Sequence, residues 1–95
     1  LAAMQPHAHL VNISRGDVVA QAALIEALKH KRIGGAGLDV YEFEPDVPDE
    51  LCGLENVVLL PHLGTAALEV RVGMGLMAAR NLMAFFAGET PPNIV

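Results

Sequence analysis

Three short stretches of the sequence place a charged or titratable residue just after an apolar run. They are NISRG at Asn12 to Gly16, DVYEFEP at Asp39 to Pro45, and PHLGTA at Pro61 to Ala66. Together they offer Arg15, Glu44 and His62. A guanidinium presents a planar fork to a carboxylate. An imidazole gives and takes a proton near neutrality. A carboxylate beside that imidazole stabilises its charged form and fixes its tautomer. Such a set suits holding a carboxylate substrate while a proton moves to or from a carbon-bound oxygen. Taken singly, each has an ordinary reading: a surface arginine, a satisfied structural histidine, one more solvated acid among Glu42, Asp46, Asp49 and Glu50. Asp39 differs, because an acid inside an apolar run must be hydrogen-bonded or functional.

The elements that must position these residues follow from pattern. His9 to Ile13 reads as a buried strand ending at Ser14, Arg15 and Gly16. From Gln21 to His30 the apolar positions Ala23, Leu24, Ala27 and Leu28 recur at helical spacing, with Lys29 to Arg32 near the end, where cations favour the helix dipole. Gly34 and Gly35 are expected to stop that helix. Ala36 to Tyr41 reads as a second strand and Val57 to Leu60 as a third, cut off by Pro61. The acidic loop between them, Glu42 to Gly53, holds one irregular helical turn. A long helix is predicted from Thr65 or Ala66 to about Ala87, with Thr65 as its cap, Gly88 as its stop and TPPNIV as an extended tail. Leu68, Val72, Leu76, Ala79, Met83 and Phe86 form one apolar stripe and Val70, Met74 and Met77 another, which predicts burial on two sides.

Strands without polar alternation, linked through helices, imply an α/β fold with a parallel sheet covered on both faces. Such sheets carry their ligand sites beyond the carboxyl ends of the strands. Arg15 follows the first strand, Asp39 to Glu44 close the second and His62 follows the third. All three stretches therefore converge on one sheet edge.

Composition narrows the alternatives. The 95 residues carry a net charge of −5 without a basic cluster, which argues against a nucleic-acid partner. The hydrophobic share of 53% is high for so short a chain, so apolar surface is expected to pack on something beyond it. No membrane span is expected, because Glu69, Arg71 and Arg80 interrupt the longest apolar stretch. Cys52, alone, favours a reducing cytoplasmic setting and reads as a part-buried packing residue. The His7–His9 spacing lacks further ligands, so no metal site is expected. Gly34, Gly35 and Gly37 precede a strand, the wrong order for a phosphate loop. The opening LAAMQPHAHL enters in mid-pattern, which leads to the expectation of further sequence upstream.

NISRGDVV, ALIEAL, IGGAGLDVYEFEP, NVVLLPHLGTA and the long helix resemble, in order and spacing, the D-isomer-specific 2-hydroxyacid dehydrogenases. That family includes glyoxylate/hydroxypyruvate reductases, toward which PHLGTA and EFEP lean, and D-3-phosphoglycerate dehydrogenase. The resemblance covers nearly the whole chain and corresponds to the last third of such an enzyme. It implies the second half of a Rossmann-type NAD(P)-binding domain over residues 1–64. Residues 65–95 would be an interdomain helix and tail returning to the substrate domain, with a hinge near Leu63 to Ala67. It also implies a homodimer.

The resemblance further implies roles. Arg15 would bind the substrate carboxylate and carbonyl. His62 would be the acid in reduction and the base in oxidation, and Glu44 would pair with it. Cofactor contacts would fall on Ile13, Ser14, Arg15, Asp39, and on His62 to Thr65, including Gly64 and Thr65. Asp39 would hold the nicotinamide carboxamide. Hydride would come from NADH or NADPH and pass to a small 2-oxo acid. The G-x-G-x-x-G loop, and the residue that sets NAD against NADP, are not in this sequence, so the 95 residues alone are expected to be inactive. A dinucleotide-sensing, non-enzymatic protein of the co-repressor kind, built on the same fold, is the rival reading.

Overall fold

In the computed structural model, which describes residues 1–94, the chain forms two compact units, Leu1–Gly64 and Thr65–Val95. The first runs β1 (His9–Asn12), a 3-10 turn (Gly16–Val18), α1 (Gln21–Lys29), β2 (Gly35–Leu38), α2 (Asp49–Cys52) and β3 (Val57–Leu59). The strands form one parallel sheet in the order β1-β2-β3, in register His9 with Gly35 and Ala36 with Val57. The α/β architecture and the parallel sheet read from the sequence are therefore present. All three strands run the same way, so Asn12, Leu38 and Leu59 end at one rim.

One face of the sheet is sealed. Leu24, Ala27 and Leu28 of α1 pack with Ile33, Ala36 and Leu38, and with Tyr41 and Leu51, into a single buried cluster. The cluster follows from the 3.6 period of α1 meeting the period of two in β2. The opposite face is uncovered within this chain. There Val11 and Val58 flank Gly37 in register and are 71% and 64% exposed. The apolar character of a strand reports that a face wants cover; it does not say where the cover comes from.

The ends of the elements differ from expectation in instructive ways. β1 stops at Asn12, one residue early, because the Asn12 side chain takes over the hydrogen bonding of the turn that follows. β2 leaves the ladder at Leu38, three residues before Tyr41, although Asp39, Val40 and Tyr41 stay buried. β3 ends one residue early, yet the Leu60 amide still donates to Leu38 O. Helix α1 is not stopped by Gly34 and Gly35. It closes three residues sooner, where Lys31 takes φ +50 and the amides of Lys31 and Arg32 donate to Leu28 O and Ala27 O. That pair of bonds is the Schellman closure, usually built on glycine. Gly34 and Gly35 serve close packing instead: a Cβ on Gly35 would lie 2.6 Å from Asn56 O. The irregular helical turn of the acidic loop is α2. Its inward residue is Leu51, fully buried, and one step around the helix Cys52 turns outward, exposed rather than part-buried.

The second unit is α3, Leu68–Phe86, with its tail. It begins three residues after Thr65. Ala67, extended at φ −80 and ψ 138, is the capping residue and makes no side-chain bond, so Thr65 stands too early to cap the first amides. Gly88 ends the helix as expected, at φ +75, with Gly88 N and Glu89 N donating to Phe85 O and Ala84 O. None of its residues is buried; Leu68 and Phe86 are 77% and 82% exposed. The two apolar stripes exist, and within this chain nothing buries them. The tail is not extended: it turns at Pro92–Asn93, where the Asn93 amide donates to Asn81 Oδ1 and Asn81 Nδ2 to Asn93 Oδ1.

Candidate active site

Each of the three site loops is tied down by hydrogen bonds to buried residues: Asn12, Tyr41 with Gln21, and Asp39. After β1, the carboxamide of Asn12, 6% exposed, makes three bonds. Its Oδ1 accepts from Ser14 N and Ser14 Oγ, and its Nδ2 donates to Arg15 O at 2.8 Å. This is an Asx turn, which asparagine favours at the exit of a strand. Arg15 follows in extended conformation, exposed, with Nη1 donating to Ser14 O. Gly16 is required by close approach, since a Cβ there would lie 2.0 Å from the Tyr41 carbonyl carbon. The arginine loop and the Tyr41–Glu42 backbone are thereby pressed together.

The second loop is held from two directions. Tyr41 donates its phenol hydrogen to Leu60 O at 2.8 Å, joining β2's extension to β3's. Burial pushes the phenol pKa up, against the opposing effect of that bond. The amide of Glu42 donates to Gln21 Oε1, at the first turn of α1. Glu44 then folds back, and its Oε1 accepts the Tyr41 amide at 3.0 Å.

The third loop carries His62 at φ +55, a backbone conformation that a residue with a side chain rarely adopts. The two residues after it are gripped by Asp39. Leu63 N donates to Oδ1 at 2.7 Å and Gly64 N to Oδ2 at 2.8 Å. Asp39 is 3% exposed, and these bonds answer the demand that a buried acid makes.

His62 and Glu44, eighteen residues apart, meet at 2.7 Å from Nδ1 to Oε2. An ionised carboxylate only accepts, so Nδ1 carries the hydrogen and donates, leaving Nε2 as the nitrogen free to exchange a proton. The Glu44 carboxyl is held below its usual range, first by the His62 bond, then by the Tyr41 amide, with a smaller contribution from the Arg15 charge. Solvent reaches both side chains, which are 43% and 34% exposed. Arg15, Glu44 and His62 line one open groove of about 410 Å³ together with Gly16, Asp17, Tyr41 and Glu42. An apolar hollow of about 190 Å³ adjoins the pair, lined by Tyr41, Pro45, Val47 and Pro61.

The structure thus brings Arg15, Glu44 and His62 together at one rim. Ile13 and Ser14 stand exposed beside Arg15, and Gly64 stands against Asp39. Thr65 is the first residue of the second unit. Asn12, Gln21 and Tyr41, which hold the loops, escape the sequence reading. Only Asn12 left a signal, the N-x-S turn pattern at a strand end.

Comparison with known proteins agrees with this architecture. The family model for the D-isomer specific 2-hydroxyacid dehydrogenase, NAD binding domain, matches residues 1–64. The chain is 56% identical over 92 residues to a glyoxylate reductase of Thermococcus litoralis, covering 97% of this chain and 28% of that protein. Among solved structures it resembles an NADPH-dependent glyoxylate/hydroxypyruvate reductase of Sinorhizobium meliloti in complex with NADP and malonate. The TM-score is 0.85 and the identity 45%, over 90% of this chain and 27% of that one. A D-lactate dehydrogenase of Lactobacillus jensenii with NAD+ follows at a TM-score of 0.75 and 32% identity, over 99% of this chain and 32% of that one. The chain belongs to the D-isomer specific 2-hydroxyacid dehydrogenase family, and its Rossmann-like α/β unit matches their NAD-binding domain. It spans under a third of the length of the relatives it matches.

Proposed function

We propose that this chain supplies the acid–base half of an NAD(P)-dependent reductase of small 2-oxo acids, of the glyoxylate/hydroxypyruvate kind. The observation that carries the reading is the 2.7 Å His62–Glu44 bond in a groove shared with Arg15. When bound, the dinucleotide supplies the hydride. His62 Nε2 donates a proton to the carbonyl oxygen as charge develops on it, and takes it back in the oxidative direction. Glu44 fixes the tautomer and stabilises the imidazolium. Arg15 binds the carboxylate and stabilises the oxygen. Exchanging its contact with Ser14 O for an anionic substrate replaces a neutral partner by a charged one.

The dinucleotide contacts fall on Ile13, Ser14, Arg15, His62, Gly64 and Thr65, with Asp39 retaining lone pairs for a carboxamide N–H. A relative's complex with NADP and another's with NAD+ keep both dinucleotides in the proposal. The homodimer and cytoplasmic setting belong to it too, on the strength of the apolar α3 and the lone Cys52. Among the described residues no helix is long and apolar enough to cross a membrane.

The test is steady-state reduction of glyoxylate and hydroxypyruvate, with both dinucleotides, by the protein that joins this chain to its glycine-rich loop. His62→Ala should lower kcat by about 10²- to 10⁴-fold with dinucleotide binding retained. Unchanged turnover in that variant would sink the acid–base assignment. Dinucleotide binding without turnover by the unaltered protein would favour a sensor.

A further inference from the structure

We infer that Asp39 is a positioning residue for His62. Its carboxylate, at the end of the central strand, grips the two amides that follow the histidine and holds the imidazole against Glu44. The inference rests on the reading of His62 as the acid–base group, and goes beyond it by assigning the loop's conformation to one side chain.

Three observations carry it. First, Asp39 is buried and its own amide donates to Asn12 O at 3.0 Å, so its main chain is fixed to the sheet. Second, both its oxygens are engaged by consecutive amides of one loop, Leu63 at 2.7 Å and Gly64 at 2.8 Å. Short, charge-assisted bonds of this kind are stronger than neutral ones and fix direction. Third, the residue next to those amides, His62, sits at φ +55. A non-glycine residue persists there only when its surroundings over-determine it. Glu44 alone does not supply that, because a solvent-exposed side-chain pair holds a backbone weakly. The two amide bonds do, acting directly on the peptide units that set the loop. Packing agrees: Gly64 approaches so closely that a Cβ there would lie 3.4 Å from Asp39 Oδ2. With the grip released, the loop relaxes out of the left-handed region, and the ring leaves Glu44 without any change in His62 itself.

The experiment uses the full-length protein containing this chain. Asp39→Asn keeps the shape but turns one acceptor into a donor facing an amide. Amide hydrogen exchange at Leu63 and Gly64 should quicken by about tenfold or more, while Leu24 and Leu28 of α1 keep wild-type protection. At saturating dinucleotide and glyoxylate, kcat should fall by about 10²-fold, with the glyoxylate KM held within a few-fold. Asp39→Glu, which keeps the charge but not the reach, should fail to restore kcat. Wild-type exchange at Leu63 and Gly64 as fast as in an open loop would overturn the proposal without any variant. So would an Asp39→Asn enzyme that keeps kcat and only raises the dinucleotide KM, the signature of a carboxamide contact alone. Exchange is read without turnover, so an incorrect acid–base role for His62 shows separately, in an active His62→Ala variant.

Discussion

The two compact units of this chain are built on opposite terms. Leu1–Gly64 contains every buried residue among those described, including Leu24, Leu28, Ile33 and Leu51 at 1% exposure or less. Thr65–Val95 contains a longer helix than any in the first unit, and none of its described residues is buried. The first is held by tertiary contacts that sequence neighbours cannot make. The second is held by its own backbone ladder, by the Gly88 closure and by the Asn81–Asn93 clasp. The lesson is that helix length and apolar content say little about what stabilises a helix; what its side chains meet decides. The candidate site lies in the unit with the core, and the 2.7 Å His62–Glu44 bond spans two loops of that unit.

The sharpest way to break this contrast is a pair of leucine truncations followed by urea unfolding of the chain. Leu24→Ala removes a buried side chain and should destabilise the first unit by about 2–5 kcal/mol. Leu76→Ala, at a half-exposed position in α3, should change stability by less than about 0.5 kcal/mol. Equal effects would mean that α3 contributes to the core after all. Gly16→Ala comes next. Its Cβ has no room against the Tyr41 backbone, so a loss of roughly 1–3 kcal/mol is expected, read as a lower unfolding midpoint. A silent substitution would show that the arginine loop is not pressed on its neighbour.

A smaller effect compares the two helix ends, which close alike with different residues. Gly88→Ala should cost about 1 kcal/mol of α3 stability, while Lys31→Gly should stabilise α1 by up to about 1 kcal/mol, because only glycine takes positive φ freely. Circular dichroism melts of both variants check the opposite signs.

The smallest effect is in pH. Glu44 has a lowered carboxyl pKa in the fold, so it contributes stability above the ordinary carboxylate value and loses it as pH falls through the lowered one. Glu44→Gln should therefore be less stable than wild type near neutrality, and the gap should close as acid is added. A gap independent of pH would mean that the carboxylate's bonds to His62 and the Tyr41 amide are not its cause. The helix content of α3 should not respond, since both His–Glu pairs among the described residues lie in the first unit.

The sequence alone determined the succession of strands and helices, the parallel sheet, and the convergence of Arg15, Glu44 and His62 on one rim. Those follow from local pattern, from the period of two or 3.6 and from the rule that parallel strands end together. It also marked Asp39 as a residue with something to explain. It did not reach Lys31 as the end of α1, because a lysine at positive φ has no local signal and is set by the packing around it. It did not reach the tail's return to Asn81, a match between two amides twelve residues apart. It promised cover for α3 and for both sheet faces, since apolar residues announce a need for contact and not the partner. Only the tertiary structure decided that Nδ1 faces Glu44, that Asn12 and Tyr41 hold the loops, and that Asp39 spends both oxygens on the histidine's neighbours. Hydrogen bonds across eighteen to twenty-five residues depend on ångström-scale placement, and composition and spacing do not encode that one residue at a time.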